Sequence, residues 1–419
     1  VELHDAVGEP VLPPLNLLGF VTFTDELRPH LKETLSAFID NDIAVKVISG
    51  DNPQTVAALA KQAGFPGDLS YVSGKELATL SDAEFAQAAL ERTVFGRITP
   101  EQKEALVGAL QAQGQYVAMM GDGVNDVLSL KKADMGIAME SGSSATRNVA
   151  DMVLLGDSFE ALPSAFTEGQ RIINGMKDIM RLFLTRVAYS ALLILGIAVM
   201  DLGFPVEPKH NTLLTLLVVG LPTLALAVWS RPGALPRGSM LREVAHFVIP
   251  AAIMTYLFGM IVYVLAIFVA SMRQVGVVIS PEIIMEFIAY TGITYDISAY
   301  AQYTQEVTSL AAQTALTSFL VLSGLLLVVF VEPPTPWFAG GDEYSGDWRP
   351  TRLALFLLLA FGVILVVEPL RSFFGLYYLP ALAHVGIVLI TLVWALILRI
   401  AWRNNWLERF LGVPASPVE

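Results

Sequence analysis

The sequence predicts two kinds of structure in series: an α/β domain with a mostly parallel sheet, then an all-α domain of six transmembrane helices. Three observations predict it. The 419 residues are 54% hydrophobic and only 16% charged, with a mean hydropathy of +0.58, so much of the chain must face lipid. Charge is partitioned: residues 1–178 hold 25 acidic and 13 basic side chains, whereas residues 179–419 hold 14 and 13. In the front part, short apolar runs alternate with helical patterns, the mark of strand–helix units.

Taken in order, residues 1–15 are a short polar start. Residues 17–23 read as a strand, followed by a helix near 28–41; residues 43–48 read as a second strand, followed by a helix from about Pro53. Runs at 93–95, 115–120, 135–138 and 152–154 continue the series. Apolar stretches at roughly 179–200, 211–230, 245–271, 309–331, 352–371 and 379–402 are each long enough to cross a bilayer as a helix. A longer polar stretch, 272–308, precedes the fourth and carries Glu282, Glu286, Asp296 and Glu306. Arg231, Arg237, Arg242, Arg349, Arg352, Arg399, Arg403 and Arg409 fall on one set of links and the tail; Lys209, Arg273 and Arg371 fall on the other. The positive-inside rule then puts both ends in the cytoplasm, as an even number of spans requires. The expected division is a soluble domain over 16–165, a stalk over 166–178, six spans over 179–402 and a tail over 403–419.

Composition also excludes. There is no cysteine, hence no disulfide scaffold, thiolate metal site or cysteine nucleophile. A net charge of −13 argues against nucleic acid as a partner. The five histidines are scattered without ligand spacing and read as structural or surface residues.

Ligands of parallel sheets bind at the carboxyl ends of strands, and two strand ends carry unusual chemistry. Ser49-Gly50-Asp51-Asn52-Pro53 lies between a strand and a helix: Gly50 permits close backbone approach, and a helix N-terminus attracts an anion. The plainer alternative is that Asp51 or Asn52 merely caps the helix. Gly121-Asp122-Gly123-Val124-Asn125-Asp126 follows another strand, with two carboxylates and an amide on a glycine-loosened turn, which suits a hard divalent cation such as Mg²⁺ that also touches a phosphate. Between them, Thr99 can cap a helix with Pro100 first and Gln102 third. Lys103 then falls in the first turn, where the helix dipole disfavours a cation, so a partner anion is expected.

In order, these pieces resemble the rear half of a P-type cation-transporting ATPase, a family built on a haloacid-dehalogenase-like phosphorylation domain. The matching stretches are Thr24-Asp25-Glu26-Leu27-Arg28-Pro29, Ser49-Gly50-Asp51, residues 97–103, 121–126 and 133–139, with 169–177 as the stalk and the six spans as the family's fifth to tenth. The resemblance implies that Asp122 ligates Mg²⁺, with Asn125 and Asp126 ordering the site. It implies that Lys103 neutralises a phosphoryl oxygen. Ser49, Gly50 and Asp51, with Asp25, Arg28, Arg97 and Gly123, would contact the phosphoryl group and ATP. Ser49 stands where the family usually has threonine, and the hydroxyl survives. The family's nucleophile, the Asp of D-K-T-G-T, has no counterpart here, and an aspartyl-phosphate cycle needs that carboxylate. The resemblance therefore implies a C-terminal portion, inactive alone, whose missing N-terminal half would bring the nucleophile, the actuator domain, most of the nucleotide domain and four spans. Two alternatives stand beside it: a non-catalytic membrane subunit or regulator derived from a pump, and a membrane-tethered phosphatase of the same superfamily.

For the ion, buried acids are scarce. Span one offers Ser190, with Arg181 and Arg186 near the cytoplasmic end as snorkelling cations. Span two offers Thr215, Gly220, Pro222 and Thr223; Pro222 removes a backbone donor and frees a carbonyl for a cation, unless it is a plain kink. Span four offers Gln313, Thr314, Thr317 and Ser318 on an interior face, and span five the weaker Glu368-Pro369. A neutral carbonyl and hydroxyl half-site follows, its carboxylate coming from the missing fourth span. The resemblance is to bacterial pumps of uncertain or calcium-linked specificity, in a bacterial plasma membrane.

Overall fold

The computed structural model describes residues 19, 30–65, 69–233, 240–274, 285, 288, 300–339 and 344–412. The chain divides into two compact units, Val1–Ala165 and Phe166–Glu419.

The first unit alternates strands and helices: α1 (Leu31–Asp40), β1 (Val47–Ile48), α2 (Pro53–Gln62), β2 (Tyr71–Ser73), α3 (Gly74–Leu77), α4 (Asp82–Glu91), β3 (Val94–Gly96), α5 (Pro100–Ala112), β4 (Ala118–Gly121), α6 (Val127–Lys132), β5 (Met135–Met139), α7 (Ser144–Val149) and β6 (Met152–Leu154). The strands form two parallel sheets of three, in the orders β1-β3-β2 and β4-β5-β6. Ile48 and Val72 both pair with Phe95; Ile137 pairs with Met120 and Met152. The sheets share apolar contacts, since Ile48 packs into the cluster of Val107, Met119 and Leu130. Helix starts follow their caps: Ser73 with Glu76, and Ser81 with Glu84, form reciprocal capping boxes.

The alternation expected from sequence is present, with shifted bounds. The strand expected at 43–48 is only Val47–Ile48, and β2 with α3 and α4 appears where no element was expected. Tyr71–Ser73 is too short for a period-2 signal, and only its parallel pairing to β3 defines it. The strand expected at 17–23 lies outside the described residues.

The second unit is helical: α8 (Ala161–Val199), α9 (Pro208–Leu214), a π segment (Thr215–Gly220), α10 (Leu221–Trp229), α11 (Met240–Gln274), α12 (Tyr300–Val331), α13 (Trp348–Val366), α14 (Glu368–Phe373), α15 (Ala381–Arg403) and α16 (Trp406–Leu411). Among the described residues six helices are long and apolar enough to cross a membrane, with α9, the π segment and α10 forming one of them. Stalk and first span are a single helix, α8. The fifth span is shorter than expected: α13 ends at Val366, Val367 turns extended, and Glu368 with Pro369 opens the separate α14. α12 is the axis of the unit, buried over nearly all of its apolar window, whereas the other spans expose most of theirs. It approaches the π segment so closely that a Cβ on Gly324 would lie 2.2 Å from Val218 Cγ1.

Two tests follow for the first unit. A Cβ at Gly96 would stand 2.5 Å from both N and Cα of Pro53, so Gly96→Ala should lower stability by about 1–3 kcal/mol; an unchanged melting midpoint of the detergent-solubilised chain would contradict that packing. The Val117 N–H donates to Asp134 Oδ2 at 2.8 Å and holds that carboxyl below its ordinary value. A depressed folded pKa stabilises above the unfolded value and is lost as pH falls through the folded one, so Asp134→Asn should flatten the acid limb of a stability–pH profile.

Candidate functional site

The carboxyl ends of β1 to β4 are stitched together by the first turn of α5 and its flanking loop. After β1, the Ser49 and Asp51 carbonyls accept from the N–H groups of Ile98 (3.1 Å) and Arg97 (2.8 Å). This ties the Ser49–Asp51 turn to the loop after β3, where Arg97 takes a left-handed φ of 55°. The Asp51 N–H donates to Ser49 Oγ at 3.1 Å. Asn52 caps α2 by accepting from the Gln54 N–H at 2.9 Å, so for Asn52 the plain capping role holds. A Cβ on Gly50 would meet nothing within 4 Å, so the surrounding fold does not itself demand glycine there.

α5 opens with the capping box of Thr99 and Gln102 behind Pro100. The Gln102 amide also donates to the Gly74 carbonyl at 2.8 Å, reaching the end of β2. The Glu101 carboxyl is held below its ordinary value by its own backbone N–H and the Thr99 hydroxyl. Lys103 then donates from Nζ to Asp126 Oδ1 at 2.5 Å, reaching the loop after β4. This is the anion that a cation in a helix's first turn calls for. Asp126 is buried, and its Oδ2 accepts from the Gly123 N–H at 3.2 Å. A Cβ on Gly121 would lie 2.5 Å from Asp126 Cβ, so glycine is needed for the carboxylate to fold back beneath the turn.

Asp122 is different. It is exposed, and among the described residues its carboxylate takes part in no hydrogen bond or ion pair, while its backbone is fixed: the carbonyl accepts from the Ser143 N–H (2.9 Å) and Thr146 Oγ1 (3.2 Å). Asn125 is exposed beside it. One uncommitted carboxylate on a pinned backbone, next to an amide, is a donor set that fits Mg²⁺. Sequence reading missed the brace formed by Gly142, Ser143 and Thr146; its only local signal is Ser143 as an N-cap of α7. Asp25 and Arg28 lie outside the described residues.

In the membrane unit, Gln313, Thr314, Thr317 and Ser318 are all buried, on the interior side as expected. Gln313 Nε2 donates to the Phe204 carbonyl at 3.0 Å, while Gln313 Oε1, Thr317 Oγ1, Thr255 Oγ1 and Tyr189 Oη are buried without a partner among the described residues. Ser190 is half-buried, and Thr215 and Gly220 are exposed. Pro222 lies within one continuous span. The six residues before it wind as a π turn, and Thr223 Oγ1 donates to the Val219 carbonyl at 2.7 Å. Both arginines have partners within the helical unit: Arg181 is buried over the Phe247 ring at 5.4 Å and near Asp178, and Arg186 bonds to Asn211 and Thr215.

The Lys103–Asp126 pair gives a direct test. Lys103→Met leaves a buried carboxylate without its counter-charge and should cost about 3–5 kcal/mol. Lys103→Met with Asp126→Asn should recover most of that loss in thermal unfolding.

Comparison with known proteins agrees with this geometry. A family model described as haloacid dehalogenase-like hydrolase matches residues 1–134. Calcium-transporting ATPase CtpE of Mycolicibacterium smegmatis is 40% identical over 238 residues, 54% of this chain and 29% of that protein. Probable cation-transporting ATPase exp7 of Streptococcus pneumoniae is 36% identical over 51% of this chain and 28% of its own length. Calcium-transporting ATPase type 2C member 1 of Mus musculus is 34% identical over 52% of this chain and 24% of its own length. The matches thus span less than a third of these relatives. This is an integral membrane chain with a haloacid-dehalogenase-like hydrolase domain, homologous over about half its length to P-type cation-transporting ATPases.

Proposed function

We propose that this chain is the C-terminal portion of an ATP-driven cation pump, in which Mg²⁺-dependent phosphorylation of an aspartate drives a cation through the helical unit. The observation that carries the reading is the stitched set of strand ends, which presents an uncommitted Asp122 carboxylate beside the Lys103–Asp126 pair. Phosphoryl transfer is mostly positioning and charge stabilisation. Lys103 supplies positive charge to a phosphoryl oxygen, Asp126 holds Lys103 and the Gly123 turn, and Ser49 offers its hydroxyl at the neighbouring strand end. Mg²⁺, held by Asp122, would offset phosphate charge. ATP is the phosphoryl donor, with Arg97 exposed at the same loop.

The residues given contain no D-K-T-G-T, so the phosphorylated carboxylate is assigned to a segment outside them. β1 and β4 are edge strands among the described residues, and the site motifs follow both of them. A parallel strand laid between them would carry its last residue to the Ser49 and Asp122 turns. Without such a segment the chain is proposed to be inactive.

The cytoplasmic placement of both ends rests on the arginine bias and is supported by contacts. Arg231, after the second span, pairs with Asp347, before the fifth, at 3.1 Å. His246, early in α11, pairs with Glu408 in the tail helix at 2.6 Å. Calcium is the first cation to assay, given the names of the similar proteins, and a bacterial plasma membrane is the proposed location.

The test is Asp122→Ala in the gene's complete product. Mg²⁺-dependent, calcium-stimulated ATP hydrolysis should disappear while the melting profile stays close to wild type. Wild-type hydrolysis in that variant would sink the assignment.

A further inference from the structure

Arg186 sits well inside the apolar length of α8. At 1.5 Å per residue it lies about 8 Å beyond Arg181 and about 20 Å before the helix end at Val199. A lone cation at such depth is costly and marks an ion path more often than a packing choice. Its guanidinium is held by three neutral oxygens. Nη2 donates to Asn211 Oδ1 at 2.7 Å, to Thr215 Oγ1 at 2.8 Å and, more weakly, to the Asn211 carbonyl at 3.4 Å. Thr215 Oγ1 in turn donates to the Asn211 carbonyl at 2.7 Å, which fixes the hydroxyl lone pairs toward the arginine. Among the described residues no carboxylate pairs with Arg186. Carbonyl, amide and hydroxyl oxygens converging on one point are the ligand set of a hard cation. Thr215 also begins the π segment, where helical carbonyls leave their usual ladder.

We propose that Arg186 is a tethered cation filling the oxygen cage of Asn211 and Thr215 at the head of the π segment, so that the adjoining transport path holds one fewer free cation. The inference rests on the transport reading above and adds a residue that sets how many charges the path carries. The guanidinium plays the part of a bound ion that never leaves; removing it should leave a cage that recruits a small cation from solution.

The experiment uses the gene's complete product in liposomes, with calcium-stimulated ATP hydrolysis read in a choline medium. Arg186→Ala should lower that activity by at least about tenfold, the worth of a charged hydrogen bond. Added guanidinium or sodium should restore most of it, and Arg186→Lys should stay near wild type. Because the chain has no cysteine, Arg186→Cys gives a second arm. A 2-aminoethyl methanethiosulfonate reagent, which restores a positive charge, should recover activity, and the neutral methyl reagent should not. An alanine variant equal to wild type in choline, or one that no small cation rescues, overturns the proposal, as does equal action of the two reagents. A wild-type protein with no calcium-stimulated hydrolysis overturns the transport reading, and this inference with it.

Discussion

The ion pair between Lys103 and Asp126 is the constraint on which the soluble unit's site depends. Both groups are largely removed from water, and a buried pair stabilises only when its remaining lone pairs are also satisfied. The Gly123 N–H completes Asp126, and Gly121 makes room for it. The pair joins two sheets that share no strand pairing among the described residues. Gln102, one residue earlier on the same turn, reaches Gly74 at the end of β2. One turn of one helix therefore registers the loops after β2, β3 and β4, and the Arg97 and Ile98 amides add the loop after β1. Asp122 stands outside this network with its backbone pinned and its carboxylate free, so the network positions it without consuming it.

Much of this was legible in the residues. Strand–helix alternation, the capping box at Thr99 and the need for an anion near Lys103 all follow from local rules, and the structure bears them out. Six spans were readable because apolar length needs no tertiary knowledge. What escaped depends on distant partners. β2 is three residues that become a strand only by pairing with β3. The bracing of Asp122 by Ser143 and Thr146 joins residues some twenty positions apart. The glycines whose Cβ would collide with backbone, Gly74 and Gly96, also carry no local signal, because the colliding atoms belong to Arg97 and Pro53.

The membrane unit shows the same division between composition and context. A proline in a span suggests a break, but Pro222 lies within one continuous span, just after the π segment. The distortion is instead absorbed upstream by the π segment. Such turns are rare and occur mostly as single-turn interruptions of an α-helix, and this one is braced from outside itself. Gly324 lets α12 press against Val218 on one side, and Arg186 holds Thr215 and Asn211 at its head.

That support holds the arginine as much as it holds the helix. Turning its side chain away along apolar α8 would abandon three oxygens already oriented toward it. Staying sideways satisfies the guanidinium locally and keeps the start of the π segment fixed. Among the described residues the oxygens around Arg186 are neutral, and this set is already filled by the guanidinium. A guanidinium held there repels any second cation brought close to it.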